Sequence, residues 1–235
     1  MKKNLIYSVL FLMSAMVLTA CSDDESAGKS RITYYPTISV LGADPLIVAK
    51  GSAFEDPGCE SFLNGEDVSS QVTVSGTVDT SKSGLYTLTY NTVKNSDGFG
   101  ASASRKVFVC DPNDPAEGIF TNQASGNRVY NGNTVAYGSD FQVLVWSNGN
   151  GTYTASDFFG GWYEQRAGYG SNYAMKGVFS IADDGTLSLV NSKVAAWGDS
   201  LNDLTGTFDA ATATYTLQSV YNGGTMFFNQ TWVKQ

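Results

Sequence analysis

Histidine is absent from the whole 235-residue chain. That removes Ser-His-Asp and Cys-His nucleophilic sites in their usual forms, and with them His-ligated zinc. Cysteine is nearly absent too. There are three, and one of them, Cys21, sits directly behind an apolar leader. The other two, Cys59 and Cys110, are too few for a thiolate metal cluster. Basic residues are scarce, with 14 Lys and Arg against 22 Asp and Glu. A polyanion such as nucleic acid would be repelled, since its binding rests on neutralising phosphates. Charged residues of either sign make up only 15% of the chain. Long apolar runs are missing as well. The apolar-rich stretch from Leu5 to Leu18 falls short of the roughly 20 residues that span a bilayer. Nothing implies a cofactor or a metal. Any enzyme here works with carboxylates, lysine or tyrosine alone, and the expectation is a non-catalytic protein, with a carboxylate-only glycosidase left open.

What is present begins with an address. Lys2 and Lys3, the short apolar core and the small residues before Cys21 form a secretory signal. Leu18-Thr19-Ala20-Cys21 resembles the bacterial lipobox, in which the cysteine is acylated and becomes the first residue. Residues 1–20 are then removed. Losing Lys2 and Lys3 makes the formal charge of −8 more negative by two. The run Ser22-Asp23-Asp24-Glu25 resembles the acidic export signal of Bacteroidetes surface lipoproteins. The expectation is an outer-membrane protein, lipid-anchored through Cys21 and facing the medium. Residues 21–33 read as its polar tether.

From residue 34 to 111 the chain alternates in short strands. Pro36–Leu41, Leu46–Ala49, Gln71–Gly76, Leu85–Tyr90 and Arg105–Val109 are separated by turn signals such as Gly42-Ala-Asp-Pro45. This pattern predicts a small β-sandwich. Gly51-Ser-Ala-Phe-Glu-Asp-Pro-Gly58, Val74-Ser-Gly-Thr-Val-Asp-Thr-Ser81 and Gly84-Leu-Tyr-Thr-Leu-Thr-Tyr90 resemble the Ig-like domain of Bacillus insecticidal crystal proteins. The resemblance implies a spacer without catalytic residues. Cys59 and Cys110 fall in this domain, and the oxidising compartment makes a disulfide between them the expectation.

Residues 112–116, with two prolines and flanking acids, read as a linker. Residues 117–235 carry hairpin signals in series. The turns Ser147-Asn-Gly-Asn150, Asp183-Asp-Gly185 and Asn222-Gly-Gly224 each stand between β-rich runs. Such a meander predicts an antiparallel sheet that closes into a small barrel or a curved sandwich. The whole chain is therefore expected to be all-β. All four tryptophans lie in this second half. Phe208, Tyr215 and Phe228 fit strand alternation and are expected in the core. Trp162, Tyr163, Tyr169, Tyr173 and Trp197 lie instead in two glycine-rich segments, 160–173 and 195–200, and are the candidate ligand-binding residues. Asp157, Glu164, Asp199 and Asp203 are the carboxylates in the same irregular regions. Asp183-Asp-Gly185 and Asn95-Ser-Asp-Gly98 read as plain turns, without the spacing of a calcium loop.

Ser156-Asp-Phe-Phe-Gly-Gly-Trp-Tyr163, Ala167-Gly-Tyr-Gly170, Ala195-Ala-Trp-Gly-Asp-Ser200 and Gly206-Thr-Phe-Asp209 resemble two-domain Bacteroidetes lipoproteins encoded in polysaccharide-utilisation loci. That resemblance implies a setting beside SusC/SusD-like outer-membrane partners and no mechanism; the glycine-flanked rings, which could stack on sugar faces, make a glycan the expected ligand. A structural or adhesive protein that recognises another protein is the alternative.

Overall fold

The computed structural model describes residues 32–235. Cys21, the acidic run and most of the expected tether lie outside the described residues. No helix among the described residues is long and apolar enough to cross a membrane.

The first unit is a sandwich of two small sheets. Strands β1 (Thr37–Val40), β3 (Cys59–Leu63) and β4 (Glu66–Asp67) form one. The other holds β2 (Leu46–Ala49), β5 (Thr73–Ser75), β6 (Gly84–Asn91) and β7 (Ser102–Cys110), in the order β2-β7-β6-β5. Alternation along β7 sorts its side chains. Val107 and Val109 face the sandwich core with Val48, Leu88 and Tyr90. Phe108 and Cys110 face the other way, toward the second domain. The segment Phe54-Glu-Asp-Pro-Gly58 has a structural purpose. The buried Arg105 lies 3.3 Å from Asp56, and Tyr90 donates its hydroxyl to the same carboxylate at 2.8 Å. The Arg105 guanidinium also donates to the carbonyls of Ala43, Leu41 and Gly58. One buried cation thus ties two loops to the last strand, with its charge compensated.

The expected disulfide is absent: Cys59 and Cys110 are both free thiols. Cys59 packs against the sandwich core, whereas Cys110 belongs to the cluster between the domains. The period of two that sends Val109 inward sends Cys110 outward, so the sheet itself stands between the two sulfurs. Burial raises both thiol pKa values.

The second unit is a curled antiparallel sheet. Its strands are β8 (Gly118–Asn122), β9 (Asn127–Tyr130), β10 (Asn133–Ala136), β11 (Phe141–Ser147), β12 (Thr152–Ala155), β13 (Met175–Ile181), β14 (Leu187–Val194), β15 (Asp203–Asp209), β16 (Thr214–Tyr221) and β17 (Met226–Lys234). Pairing runs β15-β16-β17-β8-β11-β12-β13-β14. A single bridge, Thr186 to Thr207, joins β14 back to β15. The sheet therefore curls into an incompletely sealed barrel. β17 is shared: its first half pairs with β9 and its last residues pair with β8. The interior is aromatic, with Phe120, Phe179, Phe208, Tyr215, Phe228 and Trp232 in one buried cluster.

The two units are packed together. Phe108, Leu85 and Cys110 meet Ile119, Leu144 and Trp146 from the outer face of β8 and β11. Glu117 is buried between them. Its carboxylate accepts from the Ser83 hydroxyl (3.0 Å), the Asp111 N–H (2.8 Å) and the Ser147 N–H (2.8 Å). One side chain thus bonds the first domain, the linker and the second domain, and the linker acts as a joint held at both ends.

Candidate functional site

Between β12 and β13 the chain leaves the sheet and crosses one end of the barrel. The crossing is held from both of its polar sides. The fully buried Asp157 accepts the backbone N–H groups of Phe159, Gly161 and Met175, each at 2.8 Å. Three successive carbonyls are taken by buried side chains: Phe158 by Gln230 (2.7 Å), Phe159 by the Tyr137 hydroxyl (2.7 Å) and Gly160 by Asn122 (2.9 Å). Gly160 and Gly161 are both left-handed, with φ of 60° and 86°. A Cβ at Gly160 would overlap Gln230, and one at Gly161 would overlap Phe141. The Gly-Gly pair is therefore a requirement of close approach.

Directly after it comes a π-helical turn, Trp162–Arg166, closed by Arg166 N–H to Gly161 O (2.8 Å) and Ala167 N–H to Trp162 O (3.1 Å). Turns of this kind often mark functional sites. The turn sends successive side chains to different places. Trp162 goes inward and is only 3% exposed. Its ring meets Tyr137 at 5.1 Å, and the guanidiniums of Arg128 and Arg166 stand 4.6 and 4.2 Å from its centroid. Trp162 is therefore a core residue, and its expectation as an exposed ligand contact is corrected. The glycines before it mark tight packing into the barrel end.

The other four candidate rings come together. Tyr163 lies 4.9 Å from Trp197 and 6.2 Å from Tyr169. Tyr173 lies 5.1 Å from Trp197 and 5.3 Å from Tyr169. A backbone bond from Ala196 N–H to Asn172 O (2.9 Å) joins the two glycine-rich segments. Tyr163 is half-buried against the core, while Tyr169 is 57% and Trp197 42% exposed. The result is a surface platform of four rings on two adjoining segments, the first of them pinned at its start.

Arg128, on β9, was not read from the sequence as a site residue. It stands beside Tyr163, whose hydroxyl pKa burial raises and the nearby guanidinium partly restores. Its buried Nε has no hydrogen-bond partner. Asn131-Gly132, both at positive φ, is the hairpin signal that would have placed β9 and so this arginine. Among the carboxylates, Asp157 is enclosed by its three N–H donors. Burial nevertheless pushes its pKa to about 7, against the lowering effect of those bonds. Asp199 accepts the Tyr221 hydroxyl at 2.7 Å. Among the described residues no group of acidic or thiol side chains is arranged to hold a metal ion.

Comparison with known proteins agrees with this architecture. The model of a bacterial surface protein Ig-like domain matches residues 38–109. The model of a C-terminal domain family matches residues 109–234. The crystal structure of the lipoprotein BT2262 from Bacteroides thetaiotaomicron superposes with a TM-score of 0.76 at 35% identity, covering 85% of this chain and all of that one. The chain belongs to this lipoprotein family. This chain joins an Ig-like module to the curled C-terminal sheet described above. Among curated proteins nothing matches.

Proposed function

We propose that this family member is a non-catalytic lipoprotein, anchored at the outer membrane and facing the medium, whose C-terminal domain binds a glycan on the platform of Tyr163, Tyr169, Tyr173 and Trp197. The observation that carries this reading is the four-ring cluster itself. Tyr169 and Trp197 are exposed in contact with the half-buried Tyr163 and Tyr173, which is costly in water, and the segment that leads into Tyr163 is fixed by six buried hydrogen bonds. Rings held this rigidly lose little freedom when a sugar face stacks on them. Arg128 supplies a donor for a hydroxyl beside Tyr163. The relative's description as a lipoprotein supports the anchor. Residence beside SusC/SusD-like proteins is part of the same proposal. It is tested by crosslinking on intact cells.

The binding claim is tested by a glycan-array screen of the mature chain, followed by titration of any hit against Trp197→Ala and Tyr169→Ala. Both variants should keep their unfolding midpoint and lose affinity. Retained affinity in both would remove the platform as the site.

A further inference from the structure

The first domain covers only part of the outer face of the C-terminal sheet. Leu144 and Trp146 lie beneath it. The same face continues across β12, β13 and β14 uncovered. The uncovered part forms a trough made of two adjoining cavities, about 340 and 580 Å³, which share Ser171, Ala174 and Lys176. Both domains line it. The first contributes Pro45, Leu85 and Lys106, and the second contributes Trp146, Lys176 and Lys193.

The charge in this trough is unusual for so acidic a chain. Lys176 and Lys193 are direct cross-strand partners in the β13–β14 ladder. Like charges placed opposite each other destabilise a sheet. Neither is relieved by an acid: the ion pairs among the described residues are Lys82–Asp79 and Arg105–Asp56. The Lys176 ammonium rests 5.0 Å from the centre of the Trp146 ring, which fixes it over the floor. Lys106 shares the outward face of β7 with Phe108 and enters from the other domain. One carboxylate, Glu164, lines the first cavity, half-buried, and burial raises its pKa. The trough thus offers three cations, one carboxylate attracted to Lys106, an indole floor, and the Gln142 amide and Ser171 hydroxyl.

We propose that this interdomain trough is a second ligand site, which takes a carboxylate-bearing saccharide across Lys106, Lys176 and Lys193. The ammonium groups would pair with uronate carboxylates, and the neutral polar groups would bond ring hydroxyls. A carboxylate between Lys176 and Lys193 would offset their cross-strand repulsion. The site draws on both domains, which gives the buried Glu117 joint a reason beyond packing. It is independent of the ring platform, and the two can fail separately.

The test is calorimetric titration of the mature chain with oligogalacturonate, oligoglucuronate and oligomannuronate, each compared with its methyl ester. At least one free acid should bind, its ester should bind far more weakly, and added salt should weaken the acid. Lys176→Gln with Lys193→Gln should weaken binding about tenfold while leaving the unfolding midpoint unchanged or raised. Lys50→Gln should leave it as it is. The proposal is overturned if no acid binds, if ester and acid bind alike, or if the double variant binds as tightly as the parent. Equal competition by poly-glutamate would also overturn it, by showing an acidic protein surface as the partner.

Discussion

Asp157 is where stability and the site meet, and Asp157→Asn is the substitution that separates its charge from its shape. Each carboxylate oxygen accepts backbone N–H groups: Oδ1 takes Phe159 and Met175, and Oδ2 takes Gly161. An asparagine keeps the first two bonds. Its amide nitrogen then faces the Gly161 N–H, donor against donor, in a fully buried place. One orphaned buried donor costs about 1–3 kcal/mol. For a chain of this size that lowers the thermal midpoint by roughly 3–10 °C. The pH dependence gives a second, independent signature. Unfolded, the carboxyl titrates near 3.8 and is ionised throughout pH 5–8; folded, it titrates near 7. At pH 5 the folded state therefore holds a proton that the unfolded state does not. Stability falls as pH rises toward 7, by at most about 1.4 kcal/mol per unit, and levels off above it. Asp67, Asp79, Asp184 and Asp209 are shifted down, so they act below this window. Glu164 is raised and adds in the same direction. Urea unfolding of the parent and of D157N at pH 5, 6, 7 and 8 reads both effects. The variant should be less stable at pH 5, with a flatter pH profile, so that the gap narrows by pH 8. A variant as stable as the parent at pH 5, or a parent profile flat across the window, would refute the reasoning.

Three further outcomes follow from the packing. Trp162→Ala should cost about 3–5 kcal/mol and Trp197→Ala less than about 1, because one ring is in the core and the other is on the surface; urea midpoints at constant slope compare them, and equal losses would contradict the placement. Glu117→Ala orphans three donors at the domain joint, so a single calorimetric transition should split in two; an unsplit transition with unchanged midpoint would show the joint to be unimportant. Cys59 and Cys110 should both react with a thiol reagent once the protein is unfolded without reductant, and two blocked thiols would restore the disulfide.

The sequence carried the architecture well where its signals were local. Asn-Gly and Asp-Gly turns set the hairpins β11–β12, β13–β14 and β16–β17 where alternation had suggested them, because turn chemistry and period two are properties of neighbouring residues. β3, β4 and the β8–β10 region were not read. β3 begins at Cys59 and carries polar Glu60 and Ser61, and β9–β10 is short with no fully buried residue. Exposure was the harder property. Trp162 and Trp197 both sit next to glycines, yet Gly161 marks a wall of Phe141 behind it and Gly198 has open space. Nothing within either segment distinguishes the two. The facing of Cys110 had the same origin, since one step along β7 reverses the side. Arg105 shows the converse: its burial is set by partners far away in sequence, the loop carbonyls of Leu41, Ala43 and Gly58 and the Asp56 carboxylate.

The central claim is that the ring platform is a binding surface on a loop rigid enough to survive its own mutation. The most direct measurement is affinity and unfolding midpoint, side by side, for the mature chain and its Tyr169→Ala/Trp197→Ala double variant against the glycan that an array identifies. Binding should be lost while the midpoint moves by no more than about 1 kcal/mol in equivalent stability. Unchanged binding in the double variant, or an array on which the parent binds nothing, would contradict it.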